Sequence, residues 1–108
     1  MTPEARAKRL LREGVRRVCD ERGHTYYLQG QAGSMYGKVG LDYIGAVLPQ
    51  GREVGVPFAV EVKRFDERRA PTPRQVSTAK EMRAAGIATF DVTSYVELEE
   101  FLEWMRNL

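Results

Sequence analysis

Cysteine and histidine each occur once in the 108 residues, as Cys19 and His24. A single cysteine excludes an intrachain disulfide and a cysteine-built zinc cage. A single histidine excludes histidine-rich metal sites. A cysteine nucleophile would have to pair Cys19 with His24, and no supporting acid stands near them at the end of their helical stretch, so Cys19 reads as a small apolar helix residue. Long apolar runs are missing too. Nothing approaches the ~20 residues of a membrane span, and no N-terminal apolar segment resembles a signal peptide, so the expected compartment is the cytosol. With 43% hydrophobic and 30% charged residues the chain has the composition of one globular domain spanning residues 1–108.

The formal net charge is only +2, but the charges are segregated. Arg6, Lys8, Arg9, Arg12, Arg16, Arg17 and Arg22 crowd the first helical stretch, and Lys63, Arg64, Arg68, Arg69 and Arg74 form a second basic cluster. Glu97, Glu99, Glu100 and Glu103 make the C-terminal stretch acidic. Basic faces of this kind neutralise phosphates, and equally serve as solvated helix faces.

Thr2-Pro3 reads as N-cap and first helical residue, and Leu11, Val15, Val18 and Cys19 keep helical spacing until Gly23, which predicts a helix over Pro3 to Arg22. Thr25 to Leu28 has strand character. Gly30 to Gly40 is glycine-rich and reads as a loop. Its Gly37-Lys38 pair is not a phosphate loop, because Ala32 stands at the first glycine position and Val39 replaces the Ser/Thr that would bind magnesium. Leu41 to Leu48 reads as a second strand, Pro49 to Gly55 as a turn-rich connection, and Phe58 to Phe65 as a third strand. A hairpin centred between Gly51 and Arg52 sets Asp42 opposite Glu61, with Gly55 and Pro57 as candidate bulge positions. Thr72, Pro73 and Gln75 spell a capping box that opens a helix to about Ala85, ended by Gly86. Ile87 to Val92 makes a fourth strand, and Ser94 with Glu97 opens a last helix through Phe101, Leu102 and Met105.

The third strand, FAVEVKRF, poses a chemical problem. Phe58, Val60 and Val62 share one face, while Ala59, Glu61 and Lys63 share the other. Unpaired, such charges cost several kcal/mol to bury, so a partner, a metal or solvent must account for them. A carboxylate at Asp42 directly across from Glu61 would add like-charge repulsion that a divalent ion resolves.

Asp42, then Glu61-Val62-Lys63 on a strand, then a basic loop and Gln75 opening a helix, together resemble the PD-(D/E)XK nuclease superfamily. The stretches GLDYIGAV, FAVEVKRF and TPRQVSTAKEMRAAG look most like its VRR-NUC branch, in the stand-alone form found in phages, and DYIGAV is also similar to the RecU-type Holliday-junction resolvases. The resemblance implies an α/β fold with a restriction-endonuclease-like core, a mixed four-stranded sheet flanked by helices in the order α-β-β-β-α-β-α. It implies a divalent-metal-dependent DNA endonuclease that acts on Holliday junctions or other branched DNA, works as a homodimer, and operates in the cytoplasm of a bacterium or a phage-infected host.

Carried onto this sequence, the resemblance makes Asp42 and Glu61 ligands of Mg²⁺ or Mn²⁺, with the Val62 carbonyl as a third. Hard divalent ions take such oxygen ligands. Lys63 would hold the attacking water or the scissile phosphate. Gln75 has two readings, as a capping residue and as a site residue, and the two are compatible. The helix-one acid of the family falls on Glu4, in line with Leu11, Val15 and Val18, and not on Glu13, which lies half a turn away. Tyr36, Lys38, Arg64, Arg68 and Arg69 are DNA-contact candidates by their position beside the site. Tyr43, Phe58, Phe90, Phe101 and Trp104 read as core and not as stacking platforms. The competing readings are a non-catalytic DNA-binding module of the same fold, a flap- or end-processing nuclease, and a structural protein with a Glu61–Lys63 ion pair on its sheet. Metal-dependent cleavage separates them.

Overall fold

The structure is a computed structural model and describes residues 1–31, 41–65 and 70–108. Among these residues the elements run α1 (Pro3–Arg22), β1 (Thr25–Gly30), β2 (Tyr43–Leu48), β3 (Val56–Val62), α2 (Pro73–Ala84), β4 (Ala88–Val92) and α3 (Tyr95–Arg106). This is the α-β-β-β-α-β-α order expected from the sequence. No helix among the described residues is long and apolar enough to cross a membrane.

The punctuation residues act as their chemistry requires. Thr2 accepts the Ala5 N–H through its hydroxyl at 3.1 Å, and Gly23 ends α1 in the left-handed region. In the β2–β3 turn the Arg52 N–H donates to the Pro49 carbonyl at 3.0 Å. Gly51 supplies the positive φ of 80° that this turn needs.

The sheet order is β1-β2-β3-β4. β1, β2 and β3 pair antiparallel, and β4 joins β3 in parallel, so the sheet is mixed. The β2–β3 ladder runs unbroken from Tyr43↔Val60 to Val47↔Val56, the register that a hairpin centred between Gly51 and Arg52 demands. Pro57 therefore makes no bulge; it sits opposite Ala46, before β4 begins to pair at Phe58.

Strand bounds differ from the sequence reading in every strand: β1 runs on to Gly30 instead of ending at Leu28, and β4 begins at Ala88 instead of Ile87. β2 begins at Tyr43 and not Leu41, and β3 runs from Val56 to Val62 instead of Phe58 to Phe65. Both differences at the Asp42 end have one cause. The Asp42 carboxylate takes the Val62 N–H at 2.8 Å, a donor that a longer ladder would give to a backbone carbonyl.

One face of the sheet carries the core. Tyr43, Val47, Phe58, Val60, Val62 and Val92 pack against Leu11, Val15, Val18 and Cys19 of α1 and against Leu98, Phe101, Leu102 and Met105 of α3. Phe90 and Trp104 complete an aromatic cluster with Phe58 and Phe101. The aromatic residues read as core are thus core. α2 lies against β4 and buries no residue fully, so the second face is covered lightly and polar groups can reach it.

Gly45 marks the tightest point of the hairpin. A Cβ there would lie 2.2 Å from the Tyr27 carbonyl oxygen and 3.0 Å from Phe58 Cζ. Alanine would ordinarily gain ~0.5–1 kcal/mol over glycine in a strand through reduced chain entropy, but here β1 must shift. Gly45→Ala is expected to destabilise the protein by about 1–3 kcal/mol, the usual cost of overpacking. Thermal unfolding checks this; an unchanged or higher melting temperature would contradict it.

Candidate active site at the end of the third strand

Glu61 is the one charged residue in the buried set among the described residues, 4% exposed. Its burial is compensated by several donors on one carboxylate. Lys63 Nζ lies 3.0 Å from Oε1, and Gln75 Nε2 donates to the same oxygen at 2.8 Å. The Asp42 N–H donates to Oε2 at 3.2 Å. Extending the β2–β3 register by one residue beyond Tyr43↔Val60 puts Asp42 across from Glu61, so the facing pair follows from strand geometry.

Asp42 stands just outside β2 with its two oxygens differently engaged. Oδ2 accepts the Val62 N–H, while Oδ1 lies 3.7 Å from Lys8 Nζ. Lys8 is also 3.7 Å from Glu4 Oε1, so Glu4 reaches the site's edge through Lys8. Glu13 instead pairs with Arg9 at 2.9 Å on the exposed side of α1. Four residues farther along the helix, Arg12 donates to the Tyr43 hydroxyl at 2.9 Å. One stripe of α1, Glu4, Lys8 and Arg12, therefore overlies the start of β2.

Gln75 makes the cap bonds and also reaches Glu61. Its backbone N–H donates to Thr72 Oγ1 at 3.2 Å and its Oε1 accepts the Thr72 N–H at 3.0 Å, which completes the capping box. The same amide then spends its Nε2 on Glu61. The cap fixes the amide orientation, and the orientation aims a donor at the carboxylate.

Electrostatics follow from this crowding. Burial raises the Glu61 pKa, the Lys63 hydrogen bond opposes the rise, and the Asp42 charge adds to it; the net direction is upward. For Lys63, burial works against the ammonium, but the hydrogen bond and charge of Glu61, with the charges of Asp42 and Glu4, outweigh it and raise the pKa. Lys63 is therefore held in its protonated form and can donate hydrogen bonds. Asp91, the β4 partner of Glu61, is also shifted upward, by burial and then by the Glu97 charge, against the pull of Arg83 and Lys63.

Two of these residues escaped the sequence reading as site members. Lys8 was legible only as one cation in a basic run; its signal is its place one helical turn after Glu4. Asp91 carried no local signal, because only the parallel β3–β4 register brings it beside Glu61. Of the DNA-contact candidates, Arg64 is exposed just past Lys63. Tyr36, Lys38, Arg68 and Arg69 lie outside the described residues. Cys19 is buried, and burial together with the Asp20 charge pushes its thiol up to about 11, which leaves it inert as a nucleophile. His24 accepts the Gln50 N–H through Nδ1 at 3.1 Å, at the opposite end of β2 from Asp42.

Among the described residues no group of three or more His, Cys, Asp or Glu side chains forms a metal cage. The donor set at Asp42 and Glu61 nevertheless fits a hard divalent ion. Such ions bind through one or two carboxylates, with water, backbone carbonyl and substrate phosphate as the rest, and the Glu61 carboxylate, disfavoured chiefly by burial and further by the Asp42 charge, would be favoured by a cation beside it.

No protein-family profile matches the chain, and no curated protein does so significantly. A solved structure described as a VRR_NUC domain matches it with a TM-score of 0.63 and 24% sequence identity, over 95% of this chain and 97% of that one. A likeness of that extent shows a shared fold, and the chain accordingly has the three-helix, mixed-sheet architecture of a VRR_NUC domain, a restriction-endonuclease-like fold.

Proposed function

We propose that this protein is a divalent-metal-dependent endonuclease that hydrolyses phosphodiester bonds in branched DNA. One observation carries the reading: Asp42, Lys63 and Gln75, scattered over 34 positions of sequence, converge on the buried Glu61 carboxylate through contacts of 2.8 to 3.2 Å, Asp42 through its backbone N–H. A module that only binds DNA has no use for two acids facing each other, because each repels the backbone. The likeness to a VRR_NUC domain supports the same class by fold.

Asp42 and Glu61, with the Val62 carbonyl, would hold Mg²⁺ or Mn²⁺. When bound, the ion supplies Lewis acidity at the phosphate and lowers the pKa of water. The chain's own groups do the rest. The Lys63 ammonium donates to a phosphate oxygen or to the attacking water and offsets the charge that grows in the transition state. Gln75 and the Asp42 N–H hold the Glu61 carboxylate in one rotamer. Lys8 balances Asp42, and Glu4 anchors Lys8. Arg64 contacts the DNA backbone beside the site, and Tyr36, Lys38, Arg68 and Arg69, outside the described residues, extend that contact. The test is incubation with Mg²⁺ or Mn²⁺ and a panel of linear, flapped and four-way DNA, with chelator as the control. Cleavage of the four-way substrate is the expected result; preference for flaps would move the function to flap or end processing.

The two roles of Gln75 separate by mutation. Thr72→Ala removes the N-cap hydroxyl and should cost about 1 kcal/mol of stability, while Gln75→Ala keeps that cap bond but loses the side-chain bonds to the Thr72 N–H and to buried Glu61, about 1–3 kcal/mol. Only Gln75→Ala also removes the donor to Glu61, so only it should slow cleavage, by about 10-fold or more, as expected for a residue that orients a metal ligand. Equal rates in the two variants would reduce Gln75 to a cap.

Resolution of a four-way junction needs paired cuts, and one chain of 108 residues offers one such centre. A two-fold dimer matches the symmetry of the junction. Light scattering at assay concentration should give twice the 12.3 kDa chain mass. A strict monomer, with and without DNA, that makes symmetric paired cuts would contradict the dimer.

A further inference from the structure

A cleft of about 390 Å³ has a lining that includes Pro3, Arg6, Ala7 and Leu10 of α1 together with Phe65 and Tyr95. Its size falls within the range of roughly 300–1,000 Å³ that small-molecule sites occupy. We propose that this cleft takes an unstacked nucleobase of the DNA, one nucleotide step from the cleaved bond. The substrate class would then be DNA with an unpaired position at the cut. The inference rests on the nuclease reading above.

Three observations point to a nucleobase. First, the lining is the kind that receives a base in single-stranded recognition: two aromatic rings and an arginine. Phe65 and Tyr95 meet edge to face, with centroids 4.7 Å apart and planes at 72°. The rings are therefore not stacked on one another. Tyr95 is 56% exposed, so its ring is open to a ligand. Second, Arg6 lines the cleft and, like Arg12, Arg17 and Arg22 of the same helix, has no ion-pair partner among the described residues. A guanidinium at the rim suits the phosphate of the nucleotide whose base enters.

Third, the helix and the chain segment that line the cleft also carry groups of the carboxylate site. Pro3, Arg6, Ala7 and Leu10 form one stripe of α1, and the neighbouring stripe begins with Glu4 and Lys8, which reach toward Asp42. Phe65 follows Lys63 by two residues, about 7 Å of extended chain. A phosphate held at Lys63 thus has an aromatic cleft within one nucleotide of it. Unstacking a base costs least where the base is already unpaired, so such a cleft reads branch points and flaps without any contact to base edges.

The test uses the full chain and a forked duplex carrying 2-aminopurine at its single unpaired position, read in chelator so that nothing is cut. Cleavage of forked and fully paired DNA in Mn²⁺ is measured separately. Tyr95→Ala, a change at an exposed position, is expected to weaken binding of the forked DNA by about 5-fold or more and to abolish the 2-aminopurine response. Affinity for the fully paired duplex and the salt dependence should not change. Arg6→Gln should instead lower the slope of log affinity against log salt by about 1.

An identical 2-aminopurine response in wild type and Tyr95→Ala overturns the inference, whether or not the protein cuts DNA. A Tyr95→Ala variant that turns a dimer into a monomer and leaves that response intact also overturns it, assigning the cleft to a second copy of the chain. A response that depends on Tyr95 in a protein that cuts neither DNA supports the base site while refuting the nuclease reading.

Discussion

Glu61→Gln and Asp42→Asn should each abolish metal-dependent cleavage with the fold intact. Each substitution removes a charged oxygen ligand while keeping the side-chain shape, so the metal loses half of its carboxylate charge. Metal-ion catalysis contributes several kcal/mol to such reactions, and each 1.36 kcal/mol is a factor of ten in rate, so a loss of at least about 10²-fold is expected. The effect on metal-free stability should have the opposite sign. Burial and the Asp42 charge together disfavour the Glu61 carboxylate more than Lys63 favours it, so a neutral isostere at this position should leave the melting temperature in chelator unchanged or higher. A variant that keeps wild-type turnover, or wild-type cleavage that survives excess chelator, would remove the metal site from the mechanism.

Lys63→Ala should reduce turnover by about 10²–10³-fold, the usual loss when one donor to developing charge is removed, yet leave most of the DNA affinity. The dissociation follows from what Lys63 touches. Its ammonium lies 3.0 Å from Glu61 Oε1, at the reaction centre, whereas affinity for DNA is shared among many cations of the basic stretches. Gel shift and cleavage assays read the two quantities apart. Loss of binding in step with turnover would make Lys63 an ordinary phosphate contact, and wild-type turnover would exclude it from catalysis. Lys63→Arg should not restore the rate, because the wider guanidinium fork cannot occupy the site of a compact ammonium.

The element order, the α1 and α2 caps and the β2–β3 register were all legible in the sequence, because each depends on interactions between near neighbours. Thr2 with Pro3 and Thr72 with Gln75 satisfy helix-end donors within four residues. The Asp42–Glu61 facing followed from turn chemistry and the two-residue period of strands, which leave few registers open once Pro49 and Gly51 are placed. The strand ends were less legible. Nothing local announces that the Asp42 side chain replaces a backbone acceptor for Val62.

Contacts between elements distant in sequence were decided only by the tertiary structure. Gln75 could be read as cap or site residue, and the fold lets one amide bond both the Thr72 N–H and the Glu61 carboxylate. The parallel crossover brought Asp91 beside Glu61, and the packing of α1 carried Lys8 to Asp42. The same packing set Arg6 and Leu10 in one cleft with Phe65 and Tyr95. By itself the sequence determined which residues could carry this chemistry, since local spacing dictates the faces on which side chains emerge. The tertiary structure decided which of them meet, because the meeting of distant elements depends on how whole faces pack.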